Sequence, residues 1–152
     1  MSPDERLAAV EPRPCPPAAP PPWFRPVAVV DGLAFVSGQV PFGADGTLVA
    51  TGRLGAEVDE ATGAACARQC AVNLLAALDR AFGGLSGVRL VRLTVYVAAT
   101  GAFTRHPAVA DGASELLAEV LGPDGAHARS AIGVASLPLG CPVEIEAVAR
   151  VG

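Results

Sequence analysis

Runs of β-branched and apolar residues predict strands in four parts of the chain. They lie at 27–39, 89–98, about 129–137 and 143–150. The first holds Asp31-Gly32 between two apolar runs, which predicts a β-hairpin. A segment rich in Pro and Gly separates the last two strands. We expect it to form a turn at 138–142 that pairs those strands directly.

Apolar residues recur at helical spacing in two further segments. One runs from Asp59 to about Phe82 and is followed by Gly83-Gly84, a C-terminal stop. The other opens at Pro107 and ends near residue 121. Residues 40–56 contain four glycines and predict a loop with at most one short strand. The order ββ(β)αβαββ predicts one α+β domain, a mixed sheet with two helices on one face.

The N-terminal segment differs in composition from the rest. Residues 11–22 hold seven of the fourteen prolines, a density that excludes a helix or a central strand. We therefore expect an extended arm over residues 1–22 and a single folded domain over 23–152. No run is apolar for the roughly 18 residues that a membrane helix needs, and no signal peptide is visible, so the expected location is cytoplasmic.

The predicted strand at 129–137 is apolar on both of its faces. Ala131, Gly133 and Ala135 share one face, and Ile132 and Val134 share the other. A sheet that helices cover on one side only would expose the second face to solvent. We therefore expect an oligomer that buries this second face.

Charge and residue usage exclude several function classes. The chain has no lysine, and all eleven basic residues are arginine, so no lysine Schiff base is possible. The net charge of −4 argues against a nucleic-acid partner. The four cysteines and two histidines lack metal-ligand spacing, so we expect no metal. Cys66 and Cys70 are predicted to be small core residues.

Three charged residues near the C-terminus are candidates for chemistry. Arg129 opens a strand of small residues, and it is either a structural ion-pair partner or a bidentate clamp for a carboxylate. Glu144 and Glu146 point to one face of their strand, where a carboxylate can handle water or protons. These groups favour a small metabolite that carries a carboxylate as the partner.

The expected hairpin sets the distance between these groups. Direct pairing across 138–142 places Ser136 opposite Glu144 and Arg129 near Val151. Arg129 and Glu144 would then lie about 23 Å apart along the strands. On this register the two residues act together only if they come from different subunits. Gly38, beside Ser37, is either a point of close backbone approach to a ligand or a β-bulge.

Four segments resemble the RidA/YjgF family, whose members are called reactive-intermediate deaminases or, in older usage, L-PSP endoribonucleases. The segments are FVSGQVP at 35–41, ARQCAVNLLAAL at 67–78, VRLTVYV at 91–97 and the block at 129–149. They occur in the family's order, and HARSA at 127–131 is similar to a divergent branch. The resemblance implies a chorismate mutase-like fold of the bacillary type. It also implies a homotrimer around a barrel-like centre, with ligand sites in the clefts between subunits.

The resemblance further implies roles for individual residues. Arg129 would bind the substrate carboxylate, and Glu144 would orient the water that attacks the C=N carbon of an imine formed from an enamine. The products would be a 2-oxo acid and ammonia, with no cofactor. Ser37 and Gly38 match positions that lie against the substrate.

Three positions depart from the family pattern. Phe24 replaces a tyrosine, Ala131 replaces a cysteine, and Asp111 replaces a helix asparagine; all three are still expected to lie at the substrate. Hydrolysis of reactive imines or enamines is the leading expectation. The alternatives are a cyclase, dehydratase or hydrolase dedicated to one pathway, and a trimer that binds a small molecule without catalysis.

Overall fold

A computed structural model describes residues 1–152 as one five-stranded sheet and three α-helices. The helices are α1 Pro3–Ala9, α2 Glu60–Phe82 and α3 His106–Leu121. The strands are β1 Val27–Val30, β2 Leu33–Gln39, β3 Arg89–Ala98, β4 Ala128–Val134 and β5 Val143–Arg150. Their order across the sheet is β1-β2-β5-β3-β4. All neighbouring strands are antiparallel except β3 and β4, which are parallel.

The two long helices pack on one face of the sheet, as predicted. The Asp59 side chain accepts the Thr62 N–H at the start of α2, and Gly83 ends the helix in the left-handed conformation. Alternate residues of β3 and β5 point at the helices and are fully buried: Leu93, Val95, Val97, Val143, Ile145 and Ala149. The core lies between these two layers, and Cys66 and Cys70 are part of it, which confirms their predicted role.

The hairpin predicted around Asp31-Gly32 joins β1 to β2. Both residues have positive φ, 50° and 75°, the conformation that a two-residue turn between twisted strands requires. Residues 40–56 contain only isolated bridges, such as the one between Phe42 and Leu48, so the short strand allowed there does not form.

The direct pairing predicted for the last two strands is wrong. β3 lies between β4 and β5, and β4 ends at Val134 rather than at residue 137. The connection crosses the end of β3: Ala99 N donates to the carbonyl of Val134, and Ala98 N donates to that of Pro142. Helix α3 carries the chain from β3 to a parallel β4, and this crossover leaves the other edge of β3 open for β5.

The N-terminal residues hold a helix that the composition did not predict. Ser2 and Glu5 form a capping box around Pro3, the first residue of α1. Leu7 and Val10 are buried in the common core. Residues 11–22 contain neither helix nor strand, in agreement with their proline content.

The face of the sheet opposite the helices is uncovered in the single chain. Apolar side chains on it remain largely exposed, among them Val30 at 60%, Phe35 at 46% and Ile132 at 45%. Val30 and Phe35 lie on β1 and β2 toward one edge of this face, and Ile132 lies on β4 at the other edge. None of the helices combines the length and the apolar character needed to cross a membrane.

Candidate functional site

Arg129 is held at the start of the edge strand β4. It is paired with the inward-facing Leu93, so its side chain begins on the helix-covered face of the sheet. Arg129 Nη1 donates hydrogen bonds to two side chains of α3, to Asp111 Oδ1 at 2.8 Å and to Ser114 Oγ at 3.1 Å. Neither hydrogen bond uses Nε or Nη2. The parallel N–H groups on that edge of the guanidinium suit a carboxylate.

Arg129 is held in position by Ser114 and His127, two residues that the sequence did not identify as part of the site. His127 Nδ1 lies 2.6 Å from the carbonyl oxygen of Gly125, and its Nε2 lies 3.0 Å from Ser114 Oγ. Because a carbonyl only accepts, Nδ1 donates, and in that tautomer Nε2 accepts the Ser114 hydroxyl. The Ser114 oxygen is then free to accept Arg129. The spacing in the sequence could have indicated both residues. Ser114 lies three residues after Asp111 and so shares its helix face, and His127 lies two residues before Arg129, the spacing of residues on one face of a strand.

Ala131 follows Arg129 on the same face of β4 and packs against the core. Two residues further on, Gly133 lies beneath the His106 ring, where an added Cβ would be only 2.7 Å from Nε2. Gly133 therefore leaves room for the His106 ring at this edge of the sheet. Ala131 supplies no side-chain group for chemistry.

Glu144 lies on the opposite, uncovered face of the sheet. It is paired with Tyr96 of β3 and lies against Gly38, where any Cβ would overlap Glu144 Oε1. Partial burial, with a smaller contribution from the like charge of Glu146, raises the pKa of the Glu144 carboxyl above its usual value. Glu146 shares the face, as predicted, and accepts the Tyr96 hydroxyl at 2.7 Å.

Ser37, Gly38 and Phe24 lie along one groove, and Gly38 lies against Glu144. The register between β2 and β5 shifts between Val36 and Gln39, so a β-bulge brings Gly38 to the carboxylate. Ser37 Oγ donates to the carbonyl of Arg25 at 2.6 Å, so β2 is hydrogen-bonded to the residue that follows Phe24. All three predicted residues line a groove of about 390 Å³ between β2, α2 and residues 15–21.

The single chain does not bring the two groups together. Arg129, Asp111 and Ala131 lie at the β4 edge, and Glu144 lies on β5 with β3 between them. The pairing registers on β3 place Arg129 and Glu144 three residues and two strand spacings apart, about 14 Å between Cα atoms. This replaces the 23 Å of the incorrect hairpin. The two side chains nevertheless start on opposite faces of the sheet.

The buried thiols offer no nucleophile beside this site. Cys66, Cys70 and Cys141 are free and completely buried. Burial raises the pKa of Cys66 and of Cys141 to about 11, and it also raises the pKa of Cys70. A thiol with such a pKa is protonated at neutral pH and does not act as a thiolate.

Comparison with known proteins agrees with this architecture. The family model described as "YjgF/chorismate_mutase-like, putative endoribonuclease" matches residues 6–149. Protein TCP17 of Trypanosoma cruzi is 44% identical over 115 residues, which are 74% of this chain and 71% of that protein.

Two solved structures cover almost the whole chain. Atu1372 of Agrobacterium tumefaciens, a protein of unknown function, is 37% identical with a TM-score of 0.88, over 98% of this chain and 91% of its own. A protein of Shewanella oneidensis described as a "putative endoribonuclease" is 30% identical with a TM-score of 0.90, over 99% of this chain and 100% of its own. Together with the family model, these likenesses establish that the chain belongs to the YjgF family, which includes the Rid proteins, and has its chorismate mutase-like fold.

Proposed function

We propose that this protein hydrolyses reactive imines, formed from enamines, to a 2-oxo acid and ammonia without a cofactor. The observation that carries the proposal is the pair of groups described above. One is an arginine held by a single nitrogen, with an open N–H edge. The other is a carboxyl whose pKa is raised and to which the chain donates no side-chain hydrogen bond. The first suits the substrate's carboxylate and the second suits an attacking water.

Each site in this proposal is shared by two chains of a homotrimer. Arg129 and Glu144 begin on opposite faces of the sheet, so one chain cannot direct both at one small molecule. A second copy that covers the exposed face around Phe35 and Ile132 would bury apolar surface and bring its own edge strand toward Glu144. Both the apolar face and the divided site favour the same assembly.

The chemistry then follows from the two groups. The Arg129 edge holds the substrate carboxylate and fixes the neighbouring C=N carbon. Glu144 takes a proton from water as the oxygen bonds to that carbon, and the π electrons of C=N move to nitrogen. Glu144 returns this proton to the nitrogen, which gives a carbinolamine. Glu144 then takes the hydroxyl proton and passes it to the same nitrogen, so that C=O forms as the C–N bond breaks and ammonia leaves. A raised pKa brings the carboxylate closer to the basicity that proton transfer near neutral pH requires.

The first test measures assembly and activity of the wild type. Light scattering after size exclusion should give three times the 15.2 kDa mass of the chain. Formation of pyruvate and ammonia from 2-aminoacrylate should be faster than its spontaneous decay. A monomer at micromolar concentration contradicts the shared site. A trimer that binds 2-oxo acids without hydrolysing the imine supports a binding protein or an enzyme dedicated to another intermediate.

Mixed trimers test whether Arg129 and Glu144 of one site come from different chains. Arg129→Ala and Glu144→Gln should each be inactive, and trimers reassembled from the two should regain activity because some clefts pair two intact residues. The control mixes Arg129→Ala with the double variant, in which no cleft holds an intact arginine. Verified mixed trimers that remain as inactive as this control would show that one chain supplies both groups.

A further inference from the structure

The N-terminal residues form a strap, here residues 10–22, that is fastened across α2. On α2, Gln69 Nε2 donates to the carbonyl of Arg13 at 3.0 Å, and Asn73 Oδ1 accepts the N–H of Cys15 at 2.8 Å. Arg68 Nε donates to the carbonyl of Glu11 at 2.9 Å. The strap is therefore a fixed wall of the groove that contains Phe24, Ser37 and Gly38.

Asn73 also holds the opposite wall of this groove. Its Nδ2 donates to the carbonyls of Val40 at 3.1 Å and Phe42 at 2.9 Å, in the segment that follows β2. Gln69 and Asn73 are nearly fully buried and hydrogen-bonded to each other at 3.2 Å. One pair of amides thus sets the spacing between the strap and β2.

The surface that the groove offers to a ligand is apolar. Its walls consist largely of proline rings, alanine methyl groups and the exposed ring of Phe24. The neutral polar side chains at the walls already form hydrogen bonds within the protein: Ser37 with Arg25, Gln39 with the carbonyl of Ser37, and Asn73 with both walls. Arg80 is the only charged residue of the groove, and it is exposed. It lies where the groove meets a continuation of about 330 Å³ along the strap.

The position and size of the groove relate it to the proposed reaction. It reaches Gly38, against which the Glu144 carboxylate lies. Its volume of about 390 Å³ falls within the range of about 300–1,000 Å³ typical of small-molecule sites. A three-carbon acid such as 2-aminoacrylate would leave most of it unfilled.

We propose that the substrates are 2-imino acids with a bulky apolar side chain, which the groove beneath the strap accommodates. This inference rests on the proposed function, because the carboxylate and the C=N carbon must lie between Arg129 and Glu144. Phe24 contributes its exposed ring to the same apolar wall. Arg80 adds positive charge at the groove of an acidic protein and favours entry of an acid.

Stable 2-oxo acids serve as probes, since each is the product of the corresponding imine. Pyruvate and 4-methyl-2-oxopentanoate share the head group and differ only in the side chain. Calorimetry on the assembled wild-type protein should show at least about tenfold tighter binding of the larger acid, because each buried CH₂ is worth roughly fourfold.

Filling the groove should remove this preference. Ala18 is an exposed strap residue that lines the groove and its continuation, so Ala18→Phe should reduce binding of the larger acid to about that of pyruvate. Ala19→Phe, also in the strap, is the second variant. Ala65→Phe, at an exposed position of α2 outside the groove, is the matched control and should behave as the wild type.

The outcomes separate the two proposals. Equal affinities in the wild type, or a preference that survives both strap variants, would overturn the groove assignment. The carboxylate clamp is tested independently by Arg129→Ala, which should abolish pyruvate binding. Unchanged pyruvate binding in that variant would overturn the clamp while leaving the side-chain preference to be judged by the strap variants. A wild type that binds neither acid would overturn both proposals.

Discussion

Replacing Asn73 with alanine should destabilise the protein by about 2–4 kcal/mol, at roughly 1 kcal/mol for each lost hydrogen bond. Asn73 accepts from Cys15 and Gln69 and donates to the carbonyls of Val40 and Phe42, four bonds in all. Three of the partners are main-chain groups that the folded chain holds in place. The lower end of the range applies where water reaches the partners left behind.

Urea unfolding at one fixed protein concentration measures this loss, because oligomer stability depends on concentration. The midpoint should fall by about 1–2 M for a protein of this size. Labelling of the thiol of Cys15, the strap residue whose N–H Asn73 binds, should also become faster in the variant. Faster labelling would show that the strap loosens before the whole protein unfolds.

Two further variants make the reasoning refutable. Asn73→Asp keeps the acceptor for Cys15 but turns a second oxygen toward the carbonyls of Val40 and Phe42, so it should destabilise at least as much as alanine. Ser130→Ala removes one exposed hydrogen bond from Arg92 and should cost under about 1 kcal/mol. A loss for Asn73→Ala no larger than that of Ser130→Ala would mean that the amide pair does not fasten the groove walls.

Three more predictions concern the site itself. Gly38→Ala should displace the Glu144 carboxylate and slow imine hydrolysis at least about tenfold with 2-oxo acid binding retained, whereas Gly101→Ala, with open space around it, should have no effect. Glu146→Gln removes a charge that raises the Glu144 pKa, so the acidic limb of kcat/KM should move to lower pH; Tyr96→Phe, which keeps that charge, should leave the limb in place. Mass spectrometry after native iodoacetamide treatment should find one adduct, at Cys15, and an adduct on any other cysteine would contradict the burial of that thiol.

Elements with local signals could be predicted from the sequence. The turn at Asp31-Gly32 depends on the conformation of those two residues, and α2 is bounded by its own cap residues. The shared face of Glu144 and Glu146 follows from strand periodicity alone. The capping box of Ser2 and Glu5 is an equally local signal for α1, although the proline-rich segment that follows it favours an extended arm.

The pairing of the last strands could not be predicted in this way. A strand such as β3 can pair along either of its two edges. No residue of β4 or β5 indicates which edge of β3 that strand pairs with. Adjacency in the sequence favoured a hairpin, but the crossover through α3 had already placed β4 parallel to β3. The contact between Arg129 and Asp111 depends on that crossover, because it packs α3 over the start of β4. The proposal of a shared site therefore rests on a different observation, namely that Arg129 and Glu144 lie on opposite faces of the sheet.

The carboxylate of Asp111 gives a test of where the ligand's own carboxylate lies. Asp111 accepts Arg129 Nη1 at 2.8 Å, and a carboxylate on the Nε–Nη2 edge would lie within about 6 Å of it, two like charges on one guanidinium. Asp111→Asn keeps the acceptor oxygen and removes the charge. At that distance in a solvated site the gain is about 0.7–1 kcal/mol, so pyruvate should bind roughly three- to fivefold tighter, with the gain shrinking as salt is added.

Asp31→Asn, in the turn at the other edge of the sheet, removes the same charge from the protein without touching Arg129 and should leave the affinity unchanged. The pair of variants therefore separates a local effect from a change in net charge. If Asp111→Asn binds pyruvate no better than Asp31→Asn does, the ligand carboxylate is not on Arg129. Arg129 would then be the structural ion-pair partner of Asp111, and the proposed hydrolysis would lack a group that binds the substrate carboxylate.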